Sequence, residues 1–226
     1  MSIWTRITQA LAALTSGEGL SVLFDRMRTP PERSVGFTIA VIALSAKMAK
    51  ADGLVTRDEV TAFREVFRIA PEDEKDAARV FNLARQDVAG FEDYASRIRA
   101  MFNADTSTLC DLMEGLFHIA MADGRYHPAE DAFLERVAEL FGMPETRFRA
   151  LRARFVPDAA DPWAVLGVTP DMELPEIRKH WRQLVRDSHP DVMMARGVPE
   201  EAVKMAERRM ADINRAWEEI SARQAA

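Results

Sequence analysis

The 226 residues carry 30 Lys and Arg against 36 Asp and Glu. The net charge of −6 removes nucleic acid as a general partner, because phosphate binding needs an excess of cations. Hydrophobic residues are 48% and charged residues 29%, which fits a soluble globular chain of one large or two small domains.

One cysteine, Cys110, excludes an internal disulfide and points to a reducing compartment. It lies in the apolar helical context "TSTLCDLM", where packing is the expected role rather than a reactive thiol.

At the N-terminus, Ile3, Ile7, Ala10 and Leu14 recur at helical spacing with Trp4 and Leu11 beside them. Arg6, Gln9, Glu18 and Asp25 interrupt the run, so it falls short of the roughly 18 to 20 apolar residues of a spanning helix. No signal-peptide order is evident. Such a helix either docks on the next domain or lies on a membrane surface. "RMRTPPERS" follows as a linker, since Pro30 and Pro31 bar helix continuation.

Beyond it the chain reads as all-α, with apolar residues at three- and four-residue steps and no long alternation. Helices are predicted near residues 36–51, 57–69, 72–87, 91–103, 106–122, 129–142 and 145–154. "MAKADGLVTRDEV" and "IAMADGRYHPAED" echo each other inside this region. In both, an apolar helix runs into Ala-Asp-Gly and a Glu follows, pairing Asp52 with Glu59 and Asp123 with Glu130. Oxygen ligands from two loops could pool to hold a divalent cation. The competing reading is helix punctuation. Gly53 and Gly124 can close helices, Thr56 and Glu59 have capping-box spacing, and Pro128 suits a first helical position. The loops lack an EF-hand ladder. His127 could join a metal site, whereas His118, in "LFHIAM", reads as a core or half-buried residue.

These two units and the helical content resemble the TerB-like domain of tellurite-resistance proteins over residues 35–152. The resemblance implies a compact helical domain and marks Asp52, Glu59, Asp123 and Glu130 as its candidate metal ligands.

"RFVPDAADPW" punctuates the chain as a second linker, placed at residues 153–160. After the short apolar turn "DPWAVLGV", a helix follows with Asp171 as its expected N-cap and Leu174, Ile177, Trp181 and Leu184 as its buried stripe. Arg178, Arg182 and Arg186 fall four apart on another face, with Lys179 beside them. Like charges at that spacing repel by a few tenths of a kcal/mol per pair, so an unmixed strip suggests an acidic partner. Pro190 then breaks the helix, which places His189-Pro190-Asp191 on a loop. A last helix, near residues 200–223, turns Val203, Ala206, Met210, Ile213, Trp217 and Ile220 toward the first, completing an antiparallel hairpin.

"DPWAVLGV", "IRKHWRQLVRDSHPD" and "MADINRAWEEI" together resemble a J domain, the defining module of DnaJ-type co-chaperones, over residues 161–226. The resemblance implies a non-enzymatic partner of a DnaK-class chaperone ATPase. Arg178, Lys179, Arg182, Gln183 and Arg186 would meet the ATPase, and His189, Pro190 and Asp191 would stimulate its hydrolysis. Catalysis by His189 itself is not expected, because no nucleophile, metal cage or phosphate-binding glycine loop accompanies it. Val192 stands where many J domains carry Lys, and general client capture is not expected of this chain. The TerB-like region is therefore expected to supply targeting or regulation, and no cofactor is required.

The domain order resembles the DjlA-type membrane-anchored DnaJ-like proteins of bacteria. Here charges run through the segment that would be their anchor, so the expectation is a cytoplasmic protein, with peripheral contact at the inner membrane through residues 1–34 as the variant. The alternative to a co-chaperone is a metal-binding or scaffold TerB-like stress protein with a secondary J domain.

Overall fold

A computed structural model of the chain describes residues 3–14, 18–28, 32–52, 69, 71, 73–87, 89–157 and 160–225. Among the described residues the regular structure is entirely helical. The first two helices are α1 (Ile3–Ala12) and α2 (Leu23–Arg26), the latter preceded by a 3₁₀ turn at Leu20–Val22. The body of the first domain is α3 (Glu32–Asp52), α4 (Glu74–Gln86), α5 (Phe91–Met101), α6 (Thr106–Ala120), α7 (Pro128–Phe141) and α8 (Glu145–Phe155). The second domain is α9 (Pro162–Leu166), α10 (Leu174–Asp187), α11 (Pro190–Ala195) and α12 (Val203–Ala225), with a 3₁₀ turn at Glu200–Ala202.

α3 is apolar nearly all round, with Phe37, Ile39, Ala40, Val41, Ile42, Ala43 and Leu44 all buried, and a helix of that kind must be central. α1, α4, α5, α6 and α7 pack around it. Its buried Lys47 donates to the carbonyls of Asp87 (2.9 Å) and Ala89 (2.6 Å) and lies over the Tyr94 ring. Phe117 anchors the opposite end, with the rings of Tyr126, Phe148 and Phe155 at centroid distances of 5.9, 5.6 and 5.6 Å.

The N-terminal helix is docked. Ile3, Trp4, Ile7 and Leu11 enter the main core, so the apolar face that membrane contact would have used is covered by protein. No helix among the described residues is long and apolar enough to cross a membrane. Six expected helices in the first domain are present with ends shifted by a few residues, and the helix expected at 57–69 lies outside the described residues. α8 runs to Phe155, into the stretch read as linker.

The second domain closes over its own core of Leu166, Val168, Ile177, Ile213, Ala216 and Ile220. Trp181 stacks on Trp217 at 5.1 Å and donates its indole N–H to Asn214 Oδ1 at 3.0 Å, which pins α10 to α12. Two local expectations need correction. Glu173, not Asp171, is the N-cap residue of α10, because Pro175 fits only the first turn of a helix and so sets where α10 begins. The His-Pro-Asp segment is not an irregular loop. Pro190 stops α10 but, with φ already helical and no N–H to satisfy, it opens α11.

Candidate functional site

The site is built at the junction of α10 and α11. α10 exposes Arg178, Lys179, Arg182, Gln183 and Arg186 along one side. Among the described residues no carboxylate pairs with any of the four cations. With Leu174 and Pro175 they line an open groove of about 480 Å³. Gln183 bridges the end of the strip, donating to Asp187 Oδ1 at 2.8 Å and accepting from Arg186 at 2.5 Å.

His189 caps α11. Its Nδ1 accepts the backbone N–H of Asp191 at 3.2 Å, which leaves Nε2 to face outward. The His189 and Asp191 side chains are 55% and 78% exposed, so both remain accessible to a partner even though His189 caps the helix. The predicted cations are exposed on α10, and the tripeptide follows at the start of α11 with His189 and Asp191 exposed and Pro190 half-buried. Val192 and Met194 beside it, each 39% exposed, are the large exposed apolar residues among those described.

Among the described residues, the acidic pair Asp123 and Glu130 of the first domain does not form a comparable site. Asp123 Oδ1 accepts the Arg125 N–H at 2.8 Å, and its Oδ2 lies 3.5 Å from His127 Nε2. Glu130 is buried and its Oε2 accepts the His127 N–H at 3.0 Å, the bond expected of a residue three positions into a helix. Gly124 has φ +76°, in keeping with punctuation. Asp52 is the last residue of α3, and Glu59 lies outside the described residues. No group of three or more His, Cys, Asp and Glu is placed to share a metal ion among the described residues. Cys110 is partly buried and burial pushes its thiol up, away from reactivity.

Sequence reasoning missed a second polar cluster, buried between the domains. Asp111 and Glu114 on α6 are 0% and 1% exposed. Glu114 accepts from Arg154 of α8 at 2.7 Å and from Arg209 of α12 at 2.6 Å. Asp111 accepts from Arg209 at 2.6 Å and pairs with Arg196, just past α11, at 3.1 Å. Burial raises the Glu114 carboxyl, but Arg154 and Arg209 outweigh it and hold the group at about 2. The signal was present in "LCDLMEGLF": two acids one turn apart in an otherwise apolar helix require buried cationic partners.

Comparison with known proteins follows the same division. Residues 161–225 match the family described as DnaJ domain, and residues 38–153 match the one described as tellurite resistance protein TerB. The co-chaperone protein DjlA of Coxiella burnetii is 30% identical over 76% of this chain and 72% of its own length. The chain belongs to the DjlA co-chaperone family. DjlA proteins of Vibrio parahaemolyticus (24% identity, 87% of this chain, 81% of the relative) and Photobacterium profundum (26%, 84% and 78%) align across both domains as well. No solved structure matches the chain. As a DjlA-family J-domain co-chaperone, the chain has its TerB domain followed by its J domain, which contains α10 and α11.

Proposed function

We propose that this chain binds a DnaK-class chaperone ATPase through α10 and stimulates its ATP hydrolysis through His189, Pro190 and Asp191, while the TerB domain supplies targeting or regulation. The observation that carries the reading is the unpaired cationic strip running into an exposed His-Pro-Asp cap on the next helix. Arg178, Lys179, Arg182 and Arg186 steer an acidic surface of the ATPase and set its orientation, because complementary charge mainly raises encounter rates. Asp191 then pairs with a cation of the partner in a charge-assisted contact. The chain supplies positioning, and the chemistry of hydrolysis stays in the partner.

Single-turnover ATP hydrolysis by the DnaK-class chaperone from the same cell tests this, with wild type and His189→Gln. Wild type is expected to accelerate the turnover, and the variant to lose the acceleration while keeping its fold. Equal rates with wild type, the variant and no addition would overturn the reading.

A further inference from the structure

The α11 helix has two sides. One carries His189 and Asp191 outward. The other carries Met193, 1% exposed, and is followed by Val198, 2% exposed. Met193 and Val198, with Ala202, Met205 and Ala206, pack into the core of the TerB domain rather than into the separate core of the J domain. The tip of the J-domain hairpin is thus seated in its neighbour. Met205 reaches the waist of α6, where a Cβ added at Gly115 would lie 3.7 Å from its sulfur.

The polar contacts repeat that arrangement. Arg196 follows α11 directly and has three ties. It donates to the Asp187 carbonyl at the end of α10 (3.3 Å), pairs with Asp111 of α6 (3.1 Å), and offers its own carbonyl to the Thr108 hydroxyl (3.4 Å). Arg209 holds the start of α12 to the same two acids. Gly197 has φ +101°, and a Cβ there would meet the Arg33 side chain at 3.2 Å, so the turn after α11 closes against α3 only with glycine. The two acids are buried in an apolar helix, where an unpaired carboxylate is costly, so their arginines are not free to leave one at a time.

We infer that Asp111 and Glu114 of the TerB domain are positioning residues for the His-Pro-Asp cap: through Arg196 and Arg209 they fix the angle of α11 against α10. The inference rests on the proposed action of the tripeptide. A partner gripped by the α10 strip meets His189 and Asp191 productively only when the two helices hold one relative orientation, and small misplacements of a positioned group cost large factors in rate. The apolar residues on the inner side of α11 belong to the TerB core and not to the J domain's own cluster, so the TerB domain backs this helix.

The test uses the full chain as wild type, Arg209→Met, Arg209→Lys, Arg196→Met and His189→Gln. Amide hydrogen exchange is read in residues 192–198 of the tip and in α10, and chaperone ATPase stimulation is titrated for each protein. Expected in both Met variants is exchange at the tip faster by about tenfold or more, with α10 unchanged, since local opening reports local stability. Maximal stimulation should fall several-fold while the half-maximal concentration, set by the α10 strip, stays within about twofold. Arg209→Lys, which keeps the charge, should recover part of the maximum. If Arg209→Met fails to fold, Arg196→Met decides, because it leaves Arg209 on both acids and Arg154 on Glu114. Unchanged exchange at the tip, or faster exchange with undiminished maximal stimulation, would overturn the inference. A wild type no better than His189→Gln would instead remove the proposed function beneath it, whatever the exchange shows.

Discussion

Arg182 sits at the middle of the exposed α10 strip, and among the described residues it has no ionic partner. Its replacement therefore separates binding from folding. Arg182→Ala should leave stability within about 0.5 kcal/mol, as for a surface change that breaks no contact. It should slow association with the ATPase several-fold at low salt and much less near 1 M salt, where charges are screened within about 3 Å. Association rates from stopped-flow mixing at two salt concentrations check this; a salt-independent loss would mean that Arg182 acts by packing. Such a residue is legible in sequence because a solvated helix face normally mixes signs and this one does not. Asp111 and Glu114 escaped the same reading. Their partners come from α8, from α12 and from Arg196 just past α11, so the pairing exists only in the folded chain. A buried acid leaves a sequence trace, but the identity of its cation does not.

At the level of elements, most helices were readable from apolar period alone, because each packs one stripe or, for α3, its whole surface. The exceptions have local causes. His-Pro-Asp reads as a break because proline ends helices, yet proline also begins them, and only the cap geometry of His189 distinguishes the two. α1 could be given a helix but not a home, since an amphipathic face fits a membrane or a protein core equally well. α9 shows the opposite situation, where sequence and backbone agree. Asp161 caps it by accepting the Trp163 N–H at 3.2 Å, and Gly167 ends it at φ +67°. The nearest atom to a Cβ at Gly167 is His180 Nε2 at 4.0 Å, so space is not limiting and the cost of a side chain is conformational. Gly167→Ala should destabilise the protein by about 1 kcal/mol. Urea unfolding followed by tryptophan fluorescence measures it. A loss near zero would show that α9 ends without help from the left-handed turn.

Among the described residues the molecule has two apolar cores, and one charge cluster ties their domains together and makes the union depend on pH. Glu114 has an ordinary carboxyl value of 4.5 and is held at about 2 in the fold, where Arg154 and Arg209 outweigh its burial. Its ionised form is therefore favoured by folding. That contribution is complete above about pH 4.5 and is lost as pH falls toward 2, a difference on the order of 3 kcal/mol. Asp111 has the opposite sign. Burial raises its carboxyl against the pull of Arg209 and Arg196, so its protonated form is favoured and stability falls as pH climbs through its range. The two single substitutions should then bend the acid limb in opposite directions. Glu114→Gln should be less stable than wild type at pH 7 and should lose less further stability between pH 4.5 and 3. Asp111→Asn should lose more over the same interval. Urea midpoints at pH 7, 4.5 and 3 provide the comparison. Parallel curves for Glu114→Gln and wild type would mean that acid sensitivity arises in exposed pairs such as Arg97 with Asp93, and not where the TerB and J domains meet.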